Sequence, residues 1–245
     1  MVSLMDLGPT VMSLIGIKPP TYMDGKAFAG KFEENPRTYI FGSADRFDES
    51  IDMQRSVLDG RYVYIKNFMP QLPLIYRNKY REQIPMNKQL IELNTKGVLE
   101  GEAAYIFMQN KPIEELYDLS SDPYEVNNLA DNPDFIDKLL ELRNQLSQWQ
   151  LEINDRGFTP ESELIKEFWP NMVQPTTSSV IMKRQSGKVI LSCKTKGSSI
   201  AFQTGDAIES DYWQLYTTPI KLKNNEKIRA RAIRIGYKAS NILTN

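Results

Sequence analysis

The sequence predicts an α+β chain: an antiparallel sheet with one long helix, followed by a small all-β sandwich. Three observations carry this. Asp59-Gly60 separates two stretches rich in aromatic and β-branched residues, the strongest short-range mark of a hairpin. Between Phe135 and Ile153 the apolar residues recur at spacings of three and four, the period of an amphipathic helix. Beyond residue 182 the helical period is gone, and short strand-like runs alternate with turn signals. At 245 residues, with 41% hydrophobic and 25% charged, the chain has material for one large domain or two ordinary ones and for a real core. No apolar run is long enough to cross a membrane. The N-terminal stretch lacks a basic leader and is interrupted by Asp6, Gly8 and Pro9, so it is not read as a signal peptide.

Taken in order, "DLGPTVMSLIGIKPP" reads as a short helix capped by Asp6, with Leu7, Val11, Leu14 and Ile15 on one face and Gly16 ending it. "RTYIFGSADR" reads as a strand, and "MQRSVLDGRYVYIKNF" as two strands about the Asp59-Gly60 turn. "MNKQLIELNTKGVL" and "EGEAAYIFMQN" read as short helices. In "ELYDLSSDPYEVNNLADNP", residues 115–133, Asp118, Asp122 and Glu125 by themselves suggest a metal or catalytic loop. The local pattern instead makes the stretch a junction: a short strand, an Asp122-Pro123 turn, then Asn132 as N-cap and Pro133 as the first residue of the long helix. Near the C-terminus, Ile228, Ala230 and Ala232 alternate with Arg229 and Arg231, a half-buried strand.

Composition restricts the chemistry. There is no histidine, which removes the commonest acid-base residue and metal ligand. One cysteine, Cys193, allows no internal disulfide and no cysteine metal site. Any metal would have to be held by carboxylates alone. The net charge of −1 is unevenly spread: residues 181–245 hold 12 Lys and Arg against 4 Asp and Glu, and residues 1–180 hold 18 against 27. That asymmetry implies two units of different surface character. The basic residues of the tail sit singly at alternating positions without an aromatic stacking motif, so no nucleic-acid partner is expected.

Three segments, in this order, resemble type I sulfatases. "DLGPTVMSLIGIKPPTYMDGKAF" is similar to the segment that follows the catalytic core, "RSVLDGRYVYIKNF" to a strand pair of the C-terminal subdomain, and "ELYDLSSDPYEVNNLA" to the junction Glu-Leu-Tyr-Asp-Leu, Asp-Pro, Glu, Asn-Leu-Ala. "RNKYREQIPMNKQLIELNTKGVL" and "NDRGFTPES" resemble the heparan N-sulfatase, or sulfamidase-like, branch. The resemblance covers about residues 1–170. Residues 183–240 are similar to the small β-sandwich at the C-terminus of some chitobiases and hexosaminidases, a module often appended to bacterial sulfatases.

The resemblance implies four regions: 1–35, the tail of the α/β catalytic domain; 36–170, the sulfatase C-terminal subdomain; 171–182, a linker; and 183–245, the chitobiase-like sandwich. It implies a parent protein, periplasmic or secreted, that hydrolyses sulfate esters or N-sulfates on a glycan. Such sulfatases use formylglycine, made from the cysteine of a Cys-x-Pro-Ser-Arg motif, and Ca²⁺, and all of these residues lie upstream. Cys193, in "LSCKTKG", lacks the Pro and Arg and reads as a buried strand cysteine. The expectation is therefore a chain with no catalytic residues, no metal site and no cofactor of its own, whose partner is the upstream catalytic domain and whose ligand is a sulfated glycan. The helix at Leu7–Ile15, deprived of its upstream sheet, is expected to expose its apolar face. The runner-up is a carbohydrate-binding or assembly module that performs no catalysis.

Three clusters are candidate sites. "SADRFDESID" carries Asp45, Arg46, Asp48, Glu49 and Asp52. By the resemblance this is a substrate-facing loop, and Arg46 is the one substrate-binding candidate, because a planar guanidinium grips sulfate or carboxylate bidentately. The alternative is a solvated loop whose ion pairs are worth little, the reading favoured for the acids; their spacing does not match a calcium loop. Tyr76 and Tyr80, with Arg77 and Arg81, offer a sugar-stacking platform or, preferred, one face of a helix packed on a core. Arg229, Arg231 and Arg234 offer a stripe for sulfated glycans or, preferred, the wet face of the sandwich.

Overall fold

The computed structural model describes residues 1–75, 77–205, 212–223 and 226–244. It divides into two compact units, Met1–Gly157 and Phe158–Asn245.

The first unit starts with helix α1, Leu7–Leu14, entered by a 3-10 turn at Leu4–Asp6. It ends where Gly16 takes φ +78°, and the amides of Gly16 and Ile17 donate back to the carbonyls of Ser13 and Met12, a Schellman closure that only glycine accommodates without strain. Asp6 does not cap α1 with its side chain. Its buried carboxylate accepts instead from the amides of Ser3 and Lys26 and from Arg37 Nη2 at 2.7 Å. A carboxylate taken out of water needs a cation more than a helix needs a cap. Thr10 and Ser13 accept from the amides of Phe28 and Phe32, so the returning chain covers the polar side of α1. Leu7, Val11, Leu14 and Ile15 stay exposed, Leu14 by 63%, as the sequence led us to expect.

Strands β1 (Ile40–Phe47), β2 (Ser50–Leu58), β3 (Tyr62–Asn67) and, after helices α2 (Pro85–Thr95) and α3 (Gly101–Tyr105), β4 (Glu114–Asp118) form an antiparallel sheet in the order β1-β2-β3-β4. The β2–β3 connection is the Asp59-Gly60 turn: Gly60 has φ +97°, and Asp59 Oδ1 accepts from the amides of Arg61 and Tyr62. The long helix α4, Ile136–Glu152, is entered by a 3-10 turn at Pro133–Phe135, where Asn132 Oδ1 accepts from the Asp134 amide. Leu139, Leu142 and Leu146 of α4 bury against Val57, Tyr64 and Leu116, which lie side by side on one face of the sheet. Each of these leucines contributes roughly 2 kcal/mol of burial. Trp149 stacks on Phe41 with ring centroids 4.9 Å apart and planes 2° from parallel. The stretch between β4 and α4 is a junction, as read. Asn128 fixes it, its Oδ1 accepting from the amides of Leu116 and Ala130 while its Nδ2 donates to the Glu114 carbonyl.

The second unit begins with helix α5, Glu161–Phe168. Strands β5 (Ile181–Gln185) and β6 (Lys188–Ser192) pair as a hairpin whose turn residues, Ser186 and Gly187, both have positive φ, the geometry that matches strand twist. Strands β7 (Ser199–Thr204), β8 (Gln214–Leu215), β9 (Ile228–Ile233) and β10 (Leu243–Thr244) make a second sheet in the order β10-β9-β7-β8. Val189 and Leu191 of the hairpin share one core with Ile200, Phe202, Ile228, Ala230 and Ala232 of the larger sheet, which is a sandwich. The alternation read along β9 holds: its odd-numbered arginines face outward. Residues 176–180 pack within this unit, with Thr177 donating to the Lys238 carbonyl and Val180 entering the core. Cys193 is half-buried one residue past β6, where its thiol donates to the Ser178 carbonyl at 3.2 Å, so it is not a strand residue as read. Among the described residues no helix is long and apolar enough to cross a membrane.

Candidate functional site

The β1–β2 hairpin gathers the acidic cluster. The register shifts between Ala44 and Arg46, where Asp52 and Met53 of β2 stand opposite Asp45 alone, a bulge on β2. Such a bulge re-aims a side chain, and Asp45 Oδ1 meets Arg55 Nη1 at 2.8 Å. Arg55 lies inside the unit with its side chain 1% exposed; its Nε and Nη2 grip both oxygens of Asp155, at 2.7 and 2.9 Å, and its Nη1 also donates to the Gln54 carbonyl. The guanidinium beside Asp155 holds that carboxyl well below the usual carboxylate range, against the opposing effect of burial. Asp52 pairs in the same way with the buried ammonium of Lys111. Glu49 accepts from Asn78 Nδ2 and from the Lys79 amide. Asp45 and Asp52 are therefore counterions of buried cations and not a weakly paired solvated loop. Composition gave no sign of this, because a buried Arg looks like any other Arg in a sequence. Arg46 sits exposed at the hairpin tip opposite Ile51.

The face of the sheet away from α4 carries a different set. Glu115 and Tyr117 point from β4 towards Asn67 and Gln54, and all four are linked: Tyr117 Oη donates to Glu115 Oε2 at 2.6 Å, Asn67 Nδ2 to Glu115 Oε1 at 2.5 Å, and Gln54 Nε2 to Asn67 Oδ1 at 2.7 Å. Gln54, Glu115 and Tyr117 border a cavity of about 560 Å³ that α3 and residues 124–126 also line, with Glu102, Tyr105 and Glu125 at its walls. Burial, then the neighbouring carboxylates of Glu115 and Asp122, pushes the Glu125 carboxyl up. Three carboxylates around one cavity repel an anion, so this site suits hydroxyl or cationic donors and not a sulfate.

Tyr80 is not on a core face: it is 63% exposed, because the chain turns into a 3-10 segment at Arg81–Gln83 rather than continuing as a helix. Tyr76 lies outside the described residues. Arg77 pairs with Glu82.

On the second unit the outward arginines of β9 meet an aromatic ring that the sequence reading passed over. Trp213, just before β8, has Arg231 Cζ 4.6 Å and Arg229 Cζ 5.1 Å from its ring centroid. Arg234, one residue past β9, lies over Tyr237 at 4.7 Å. The missed signal was spatial: β7 pairs with β9 on one side and with β8 on the other, which brings residue 213 across the sheet to residues 229 and 231. Among the described residues no group of three or more Asp, Glu or Cys side chains could hold a metal ion.

No protein-family model matches the chain. The curated relatives it is similar to are sulfatases by name. It is 40% identical over 243 residues to an ulvan-active sulfatase of Formosa agariphila, an alignment that takes in 98% of this chain and 41% of that protein. A second ulvan-active sulfatase of the same bacterium is 34% identical over 137 residues, 53% of this chain and 25% of that protein. The human N-sulphoglucosamine sulphohydrolase is 27% identical over 188 residues, 71% of this chain and 37% of that enzyme. The chain thus spans about two fifths, or less, of the length of these relatives. Among solved structures, one titled a putative sulfatase of Bacteroides thetaiotaomicron aligns over 62% of this chain and 25% of its own, at 22% identity and a TM-score of 0.39.

Proposed function

We propose that this chain forms the C-terminal region of a sulfatase that hydrolyses sulfate esters or N-sulfates on a glycan, the nucleophile and metal ligands being supplied by residues it does not itself contain. The observation that carries this reading is the similarity, over 98% of the chain, to an ulvan-active sulfatase. The residues present support the division of labour. There is no histidine, and the thiol of Cys193 is engaged with a backbone carbonyl. Cys193 is followed by Lys194 and Thr195, not by the Pro and Arg of a formylglycine motif. The carboxylates nearest to a cluster, Asp45 and Asp52, are committed to Arg55 and Lys111. Neither Ca²⁺ nor formylglycine fits the residues described, so no step of the reaction is assigned to them.

In this reading the first unit presents the β1–β2 hairpin to the substrate, and Arg46 at its tip takes a sulfate or carboxylate of the glycan bidentately. The finer branch, sulfamidase-like, draws support from the human sulphohydrolase relative. The chitobiase-like reading of residues 183–245 draws support from the two-sheet core. An enzyme with a polymeric sulfated substrate belongs in the periplasm or outside the cell.

Two measurements test this. The purified chain, assayed on 4-nitrophenyl sulfate and on sulfated oligosaccharides with Ca²⁺ present, should show no turnover above background; turnover would overturn the division of labour. Grafted in place of the matching region of the Formosa ulvan-active sulfatase, the chain should support desulfation. Arg46→Ala in that chimera should raise KM more than it lowers kcat. A folded, soluble chimera without activity would count against the reading.

A further inference from the structure

The outer face of the sandwich holds two cations in a way that simple strand alternation does not. Ile228, Ala230 and Ala232 are fully buried, so the backbone of β9 is fixed from within. Arg229 and Arg231 therefore leave the sheet on the same side, roughly 7 Å apart along the strand. Trp213 then restrains both: its ring lies within 5.1 Å of each guanidinium. Arg229 is also tied by its Nε to Gln203 Oε1, and the buried Gln203 is anchored in turn by donating Nε2 to the Tyr212 carbonyl at 2.6 Å. Arg231 remains exposed.

A guanidinium held over a ring by its cation–π attraction still has N–H groups at its edge to offer a ligand. Those edges match the oxygens of a sulfate or carboxylate. A side chain already held by a ring loses less freedom when it binds. Residues 181–245 add a surplus of basic over acidic side chains, 12 against 4, which attracts a polyanion from a distance.

We propose that the Trp213, Arg229 and Arg231 face binds a sulfated polysaccharide, the two arginines taking successive anionic groups along the chain. Trp213 positions the guanidiniums; it is not the stacking platform for the ligand. That same engagement argues against single-stranded nucleic acid, whose binding relies on aromatic faces open to the bases. The site belongs to the second unit and the hairpin at Arg46 to the first, and it gives the chain a means of holding the polymer without any reaction. The identity of the polyanion rests on the glycan reading above. Binding is measured without turnover, so its failure leaves the sulfatase reading standing.

The experiment is calorimetry and salt-dependent retention of the whole purified chain with heparin, chemically desulfated heparin and a single-stranded DNA oligomer of matched charge. Heparin should bind, with affinity falling as salt rises, the desulfated form should not, and DNA should bind more weakly than heparin. Arg231→Ala should weaken heparin binding about tenfold, the loss of one charge-assisted contact, and Arg231→Lys should restore only part of it because an ammonium lacks the planar fork. Trp213→Phe, which retains a ring, should bind better than Trp213→Ala, and an unchanged thermal midpoint for Arg231→Ala separates a lost contact from lost folding. No heparin binding at low salt, wild-type affinity in Arg231→Ala, or DNA bound as tightly as heparin would each overturn the proposal.

Discussion

The two units solve the problem of charge in opposite ways. In the first, cations are buried and neutralised from distant parts of the chain: Arg55 by Asp45 and Asp155, Lys111 by Asp52, and Arg37 against the buried Asp6. In the second, the buried side chains described carry no charge, and the arginines of β9 are kept outside, where a ring restrains them. The ion pairs described above all lie in the first unit. A buried ion pair contributes little net stability, because desolvation offsets its attraction, but losing one partner leaves the other stranded. The first unit is thus sensitive to single charge changes in its interior, and the second to changes of volume.

The largest test of this contrast is Arg55→Ala. With Asp155 left unpaired in a desolvated site while the half-exposed Asp45 turns to water, the first unit should lose about 3–5 kcal/mol, read as a fall in the urea midpoint. A loss under 1 kcal/mol would show that water reaches Asp155 and that the contrast is wrong.

The next test is pH. Asp155 and Asp6 titrate below the usual carboxylate range, each held there first by its hydrogen-bonded arginine. A carboxyl whose folded value is depressed stabilises the fold above its unfolded value, about 3.9, and this stability is lost as pH falls from there through the folded value. Unfolding free energy should therefore drop steeply below about pH 4, and Asp155→Asn should flatten the slope while lowering stability at neutral pH. An unchanged slope in that variant would separate acid sensitivity from this pair.

The smallest is Ile228→Val in the second unit. It removes one methylene from a fully buried side chain and should cost about 0.5–1.5 kcal/mol with no change in acid dependence. A steeper dependence on acid would mean that charge matters in this core too.

What was legible in the sequence followed local periodicity. The Asp59-Gly60 hairpin, the cap at Asn132 and the inward alternation of β9 all depend on neighbours within a few residues, and each appears where its pattern falls. What was not legible depended on distance along the chain. Asp45 and Asp155 converge on Arg55 from opposite directions in sequence, and their acidity alone suggested only a wet loop. Asp6 looked like a cap because nothing local reveals Arg37, and Tyr80 looked like core because an interrupted helix has the same spacing as a whole one. Trp213 meets the arginines it restrains only across the intervening strand β7. Arg46 was identifiable as a candidate from the residues around it, and the fold adds its exposed place at the hairpin tip.

The grip of Arg55 on Asp155 joins residues 100 apart in the chain. Closing a span of that length is slow and entropically costly compared with any hairpin in the unit. It also sets a boundary. The first unit ends at Gly157, two residues after Asp155, and a β-carbon placed on Gly157 would lie 1.9 Å from Arg55 Nη2. A recombinant fragment that stops just before Asp155 keeps every strand of the sheet and all of α4, yet lacks the carboxylate that Arg55 requires. Where this unit can be cut is decided by the counterion of one arginine and not by the last turn of its helix.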